Sequence, residues 1–369
     1  MVNASPGTGD APASRSPSAA DRPPGAAAST DGNAPDAQTQ SVTTWDGFQA
    51  FATMPVAAPP SPGAPPRNLE ERLAYHSRFV TVRTPAIDAL AKNVRTLMIL
   101  GRHQAVTARP SLIVTGPAGA GKTTALLQVG RACHLAHTRR HGTTAAAGQV
   151  PVAYVLVPPA ASAKTLATEF ARYLGIPVAA GMSQAQITNS VCHTYTAAGV
   201  QLVMIDEVHR LNPRTTTGAQ TADLIKDLTE RIGATFVYAG IDVTTTPLFT
   251  GVRGAQLAGR ASLIDCAAFP ARLGDSEPFR DLVKAMEAAL DLRHHRPGTL
   301  SGLTPYLHER TAGRIGSLAR LIRQAAITAL IDGTERITKT TLEAIRLDHL
   351  AEQHYRPHAR PRSRSTSAP

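Results

Sequence analysis

The sequence predicts an α/β protein: a five-stranded parallel sheet with helices on both faces, followed by a small all-helical lid. Three observations carry this. A short apolar run, Ser111-Leu-Ile-Val-Thr115, breaks into a glycine-rich loop and then into a helical pattern. Strand-like runs alternate with helical spacing up to about residue 270, the signature of strands joined by crossover helices. From 271 to about 352 only helical spacing remains.

In chain order, residues 1–65 are Ala, Pro, Ser, Gly, Thr and Asp with almost no large apolar side chains. Such a segment cannot bury enough surface to offset its ordering entropy, so disorder is expected. One island interrupts it, Trp45-Asp-Gly-Phe48-Gln-Ala-Phe51. Two readings stay open, a partner-binding motif and a strap folding back on the domain, with the strap preferred. A helical segment occupies 66–108. Leu69 to His76 forms its first helix; Thr84-Pro85 caps a second, with Ile87, Leu90, Ala91, Val94, Leu97 and Met98 on one face. The expected role of this segment is packing.

The loop after the first strand is Gly116-Pro117-Ala118-Gly119-Ala120-Gly121-Lys122-Thr123-Thr124. It matches G-x-x-x-x-G-K-[ST] in the strand–loop–helix context the motif needs. Glycines let backbone N–H groups turn inward around a phosphate, and the following helix points its positive end there. Lys122 can reach the β- and γ-phosphates, and the Thr123 hydroxyl can ligate Mg²⁺. These residues are read as the binding loop for a nucleoside triphosphate.

Val152 to Val157, Gln201 to Ile205, Thr235 to Ala239 and Ser262 to Cys266 supply the other strands, with helices over Lys164–Leu174, Gln184–Ala197 and Ala222–Ile232. The third strand ends in Met204-Ile205-Asp206-Glu207, an acidic pair where open α/β sheets bind ligands. Asp206 would hold Mg²⁺ through its water shell, and Glu207 would orient and polarise the attacking water. Two readings of His209 and Arg210 stay open, contact with a neighbouring subunit or a ligand and a solvated loop, with the loop preferred. His294-His295 lies in a basic loop without the spacing of a metal site. Arg253 and Arg260 either serve a neighbouring protomer's triphosphate or lie idle on the surface. Three lid helices follow, over Pro278–Leu292, Gly316–Asp332 and Ile337–Ile345.

Composition bounds the remainder. The net charge is +11, while residues 1–65 hold five Asp against two Arg and the tail beyond Tyr355 adds four Arg. The positive balance therefore lies mostly in the folded part, which suits anionic partners. Three scattered cysteines argue against a disulfide framework or zinc site, and no apolar run approaches a membrane span. The expected compartment is the cytoplasm.

Taken together, these stretches resemble the AAA+ ATPases and, more narrowly, the TniB and TnsC type of bacterial transposition ATPases. The resemblance rests on Tyr75-His76 with Thr84-Pro85-Ala86, Val114 to Thr124, and Ile205-Asp-Glu-Val-His-Arg-Leu211. Gln256-Leu-Ala-Gly-Arg260 and Gly313-Arg-Ile-Gly-Ser-Leu-Ala-Arg-Leu-Ile322 complete it. It implies ATP and Mg²⁺ as ligands, homo-oligomerisation, double-stranded DNA, and a transposase or other protein partner. By position, Arg260 corresponds to the arginine finger. Arg314 is the nearest match to the sensor arginine at the γ-phosphate, with Arg320 as an alternative. One departure stands out. The family usually ends its fourth strand with Gly-Thr, whose hydroxyl senses the γ-phosphate; here the chain reads Gly240-Ile241-Asp242. Hydrolysis is then slow, or Asp242 or Thr244 substitutes.

The resulting expectation is a P-loop AAA+ core over 109–270, a lid over 271–352 and a basic disordered tail over 353–369. The catalytic set is Lys122, Glu207, Arg260 and Arg314; the metal set is Thr123 and Asp206. The alternative class is an ATP-regulated signalling scaffold with marginal turnover and no DNA.

Overall fold

Each of the first four strands is a run of five or six mostly apolar residues, too short for a buried helix and too uniformly apolar for a sheet with one wet face, while the fifth, an edge strand, is partly exposed. In the computed structural model, which describes residues 41–355 except 62, 64, 79–81, 104–108, 147, 212–215, 247 and 271–277, they assemble as one sheet. The strands are β1 (Ser111–Thr115), β2 (Val152–Leu156), β3 (Leu202–Asp206), β4 (Thr235–Gly240) and β5 (Ala261–Asp265). All pairings are parallel, in the order β2-β3-β4-β1-β5. The register aligns Thr115 with Gly240 and Asp265, and Leu156 with Asp206. The residues that follow β1, β3, β4 and β5 therefore emerge side by side at one carboxyl edge, where parallel sheets place their sites.

Around the sheet lie α1 (Trp45–Thr53), α2 (Leu69–Ser77), α3 (Pro85–His103), α4 (Lys122–His141), α5 (Thr143–Ala146), α6 (Ala163–Tyr173), α7 (Gln184–Ala197), α8 (Thr216–Arg231) and α9 (Gly251–Ala258). The lid comprises α10 (Pro278–Ala288), α11 (Thr299–Gly302), α12 (Thr304–Thr311), α13 (Ile315–Ile331), α14 (Lys339–Ala344) and α15 (His349–His354). It has its own apolar centre, built on Phe279, Val283, Leu300, Leu307, Leu318 and Leu321.

Three sequence boundaries change. The expected disorder over 1–65 does not hold for residues 41–54. Thr44 caps α1 through Gly47 N, and Phe48 is fully buried against α4 while Trp45 meets the His134 ring edge-on. The aromatic island is a strap: two rings bury enough surface to order nine residues that composition alone would leave loose. Residues 1–40 lie outside the described ones.

The 66–108 segment divides between the two bodies. Helix α3 packs on the core, whereas α2 docks on the lid. Arg72 makes a bidentate pair with Glu335 at 2.8 and 2.9 Å, Tyr75 donates to the Ala289 carbonyl at 2.6 Å, and Arg323 donates to the His76 carbonyl. The lid also runs past residue 352, since α15 ends at His354 and the Arg310 guanidinium sits 4.7 Å over the Tyr355 ring. The arginines of the tail lie outside the described residues. No helix among the described residues is long and apolar enough to cross a membrane.

Candidate nucleotide site between core and lid

The loop 116–121 turns between β1 and α4 with three glycines at positive φ: Gly116 (151°), Gly119 (75°) and Gly121 (89°). At Gly116 the requirement is absolute, because a Cβ would lie 2.3 Å from the Cys266 carbonyl oxygen. Lys122 opens α4 and folds back, donating to the Gly116 and Pro117 carbonyls at 2.8 Å each. Burial pushes its ammonium below the usual lysine value, against the opposing pull of Glu207 and Asp206. The side chain is thus held inside the loop, where a phosphate would meet it.

Beside it, the Thr123 hydroxyl donates to Asp206 Oδ2 at 2.7 Å. Asp206 is fully buried at the end of β3, and its Oδ1 accepts the Glu207 backbone N–H at 2.8 Å. A third donor escaped sequence reasoning: Tyr154, on neighbouring β2, places its hydroxyl 2.9 Å from Asp206 Oδ2. Burial and then the Asp206 carboxylate push that phenol well above its usual value, so it stays a donor. Nothing in a strand of apolar residues marks one Tyr as polar; only the β2–β3 register reveals it. Thr123 and Asp206 form the oxygen pair that Mg²⁺ favours.

Glu207 takes the left-handed conformation (φ 61°), an arrangement that costs of order 1 kcal/mol or more in a non-glycine residue. It turns the side chain into a cavity of about 380 Å³ that the phosphate loop also lines. His209 and Arg210 are not a free solvated loop, as their polarity suggested. Arg210 Nε lies 3.0 Å and His209 Nε2 3.4 Å from Glu207 Oε2. Ile241 lines the cavity where a hydroxyl residue was expected, while Asp242 and Thr244 are exposed and are not among the lining residues.

The lid closes the other side. Gly316 N donates to Gly119 O at 2.9 Å, and the Phe269 N–H and carbonyl are tied to Gly313 and His308 of the lid. Arg314 precedes α13 with its Cδ near Gly119, and its Nη1 is buried without a hydrogen-bond partner among the described residues. A guanidinium on the lid beside the phosphate loop is suited to an anion, although Arg314 is not among the residues that line the cavity and its charge also favours the Asp348 carboxylate. Arg320 is exposed on the following turn. Val82, Thr84, Ile87, Met286, Ile315 and Ala319 supply the apolar part of the cavity. The approach segment, for which packing was the expected role, therefore also borders the cavity.

Arg260 stands apart. It immediately precedes β5, and its carbonyl accepts Ser111 N at the amino edge of the sheet. Five strand residues at ~3.3 Å each put roughly 15 Å between its backbone and the carboxyl edge. Its guanidinium is 3.7 Å from Glu230, on the surface. The side chain of Arg253 lies outside the described residues.

Solved structures with a similar arrangement include Cdc6p from Pyrobaculum aerophilum (14% identity, TM-score 0.50, covering 70% of this chain and 66% of that one). The Aeropyrum pernix ORC2 protein in ADPNP–ADP complexes matches at 16% identity and TM-score 0.51, over 69% of this chain and 65% of that one. The Aeropyrum pernix ORC1 protein in complex with DNA matches at 16% and 0.50, over 71% and 65%. The chain thus spans just under two thirds of the length of these structures, and the likeness is one of fold. No curated protein matches it. Residues 72–262 match the family described as bacterial TniB protein, a span that runs from α2 through the phosphate loop and the acidic pair to the start of β5. The chain belongs to the TniB family and has the fold of the AAA+ core.

Proposed function

We propose that the protein binds and hydrolyses ATP with Mg²⁺, oligomerises on double-stranded DNA, and acts with a transposase in choosing or regulating a transposition target. The observation that carries the nucleotide part is the meeting of the Lys122 loop, Thr123 with its Asp206 partner, and Glu207 at one cavity that the lid helix α13 also lines.

Lys122 exchanges the loop carbonyls for phosphate oxygens. Thr123 and Asp206, the latter steadied by Tyr154, would hold Mg²⁺, which neutralises charge on the β- and γ-phosphates. Glu207 orients the attacking water and accepts its proton, and Arg314 brings the lid's positive charge to the γ-phosphate. Arg260 serves the site of a neighbouring copy, a role consistent with its distance from its own. The DNA part rests on family membership and on the positive balance of the folded chain.

The ATPase rate with and without duplex DNA, at graded salt, tests the reading. Stimulation by DNA that fades as salt rises is expected, because phosphate contacts release counterions. A rate indifferent to DNA would favour the signalling scaffold. Lys122→Ala should lose ATP binding while its circular dichroism is unchanged.

A further inference from the structure

The missing hydroxyl after β4 leaves a gap in the site as the family resemblance describes it, and His209 occupies the connection. Its Nδ1 accepts the backbone N–H of Ile241 at 3.2 Å. A nitrogen that accepts carries no proton, so in the neutral ring the proton is on Nε2. That is the nitrogen 3.4 Å from Glu207 Oε2. The ring therefore runs as a bridge from the first residue beyond β4 to the carboxylate beyond β3. Space is kept for it: a Cβ on Gly240 would lie 3.0 Å from Nδ1. The carboxylate is held on one side only. Both ion-pair contacts fall on one oxygen, Arg210 Nε at 3.0 Å and His209 Nε2 at 3.4 Å from Oε2, and Glu207 also lines the cavity.

We propose that His209 is the positioning residue for Glu207. It fixes Oε2, so that Oε1 faces the place of the attacking water, and it ties this orientation to the chain at Ile241. It replaces, through the ring and a backbone N–H, a link for which no hydroxyl is present. Arg210 also reaches the Val157 carbonyl at 3.4 Å, on the β2 side. Without His209 the carboxylate answers to Arg210 alone and is drawn that way. The inference rests on the hydrolysis reading of the site.

Two amides separate the two ends of the ring in the full-length protein. His209→Asn keeps an acceptor at the Nδ1 place and loses the reach to Glu207. His209→Gln keeps a donor at the Nε2 place. Both are expected to bind ATP within about twofold of the parent. His209→Asn should lower kcat on the order of 10- to 100-fold at unchanged KM, the scale of a misplaced catalytic group. His209→Gln should recover most of that loss. A His209→Asn protein that hydrolyses like the parent overturns the proposal, and so do Asn and Gln variants that fall equally, which would mean a purely structural ring. A parent that binds ATP yet turns over none, with DNA present, overturns the hydrolysis reading and this proposal with it. An active parent with a silent His209→Asn overturns the proposal alone.

Discussion

In the core, β1 to β4 are buried at nearly every position and the backbone ladder places them. In the lid, the stretch between α10 and α12 is mostly irregular, and a carboxylate does the placing. Glu287 Oε1 accepts Leu300 N at 2.8 Å and His295 Nε2 at 3.1 Å; Oε2 accepts the Ser301 N–H at 3.2 Å and its hydroxyl at 2.7 Å. The other His295 nitrogen accepts Ile337 N. A strand finds its hydrogen bonds by lying beside another. A loop that must cross a buried apolar centre needs a side chain with several acceptors, and a carboxylate offers the most. The core should therefore fail by losing apolar contacts, and the lid by losing one charged group.

The largest expected effect tests the first half. Phe48→Ala removes a fully buried ring between α1 and α4, and should cost about 3–5 kcal/mol in chemical denaturation. A loss near zero would mean that α1 rests on the core without contributing to it.

Glu287→Ala tests the second half. It strands donors from Leu300, Ser301 and His295, and should cost roughly 2–3 kcal/mol, read locally as faster hydrogen exchange over 289–303. Acidification should mimic it. Burial alone would raise the Glu287 carboxyl, but its hydrogen bonds outweigh burial and hold it below the usual value. A depressed folded value means that its contribution is complete above the unfolded value of about 4.3 and is lost as pH falls through the lower folded one. The lid loop should open in that window. A core that loosens first would break the comparison.

At the seam between the bodies the expected change is in binding rather than in stability. Arg314→Ala removes a guanidinium with one buried nitrogen that has no hydrogen-bond partner among the described residues, and with it a charge that favours the Asp348 carboxylate, so the fold should lose less than binding does. ATP affinity should fall about tenfold, near 1.4 kcal/mol, by titration with a fluorescent analogue.

The same contrast explains what the sequence disclosed. The phosphate loop, the acidic pair and the strand alternation were legible because each is local: a short run with its chemistry in consecutive residues. Tyr154, Glu287 and the His209 bridge were not, because each acquires meaning from a partner on another element. Arg72 illustrates this best. In sequence it is one charge on a short helix, and only the fold brings it to Glu335 and thereby moves α2 from the core's account to the lid's. The Trp45 strap was half legible, since aromatic residues in a polar tract signal burial without saying against what.

Arg260 should give the smallest effect on the isolated chain and is the one site residue that neither body explains. Its pair with Glu230 is partly exposed and 3.7 Å long, worth ~0–1 kcal/mol, so Arg260→Ala should melt like the parent and bind ATP as a single chain. The consequence is expected in assembly. If the guanidinium serves a neighbour, Arg260→Ala assembles and hydrolyses poorly, whereas Glu207→Gln binds and assembles but hydrolyses slowly. Mixing separates the two defects. Where a Glu207→Gln chain presents its Arg260 to an Arg260→Ala chain, the receiving site has an intact Glu207 and a finger. The ATPase of the mixture should then exceed the sum of the two variants measured apart. A mixture no better than that sum, with co-assembly demonstrated by cross-linking, would confine Arg260 to its own surface and its pair with Glu230.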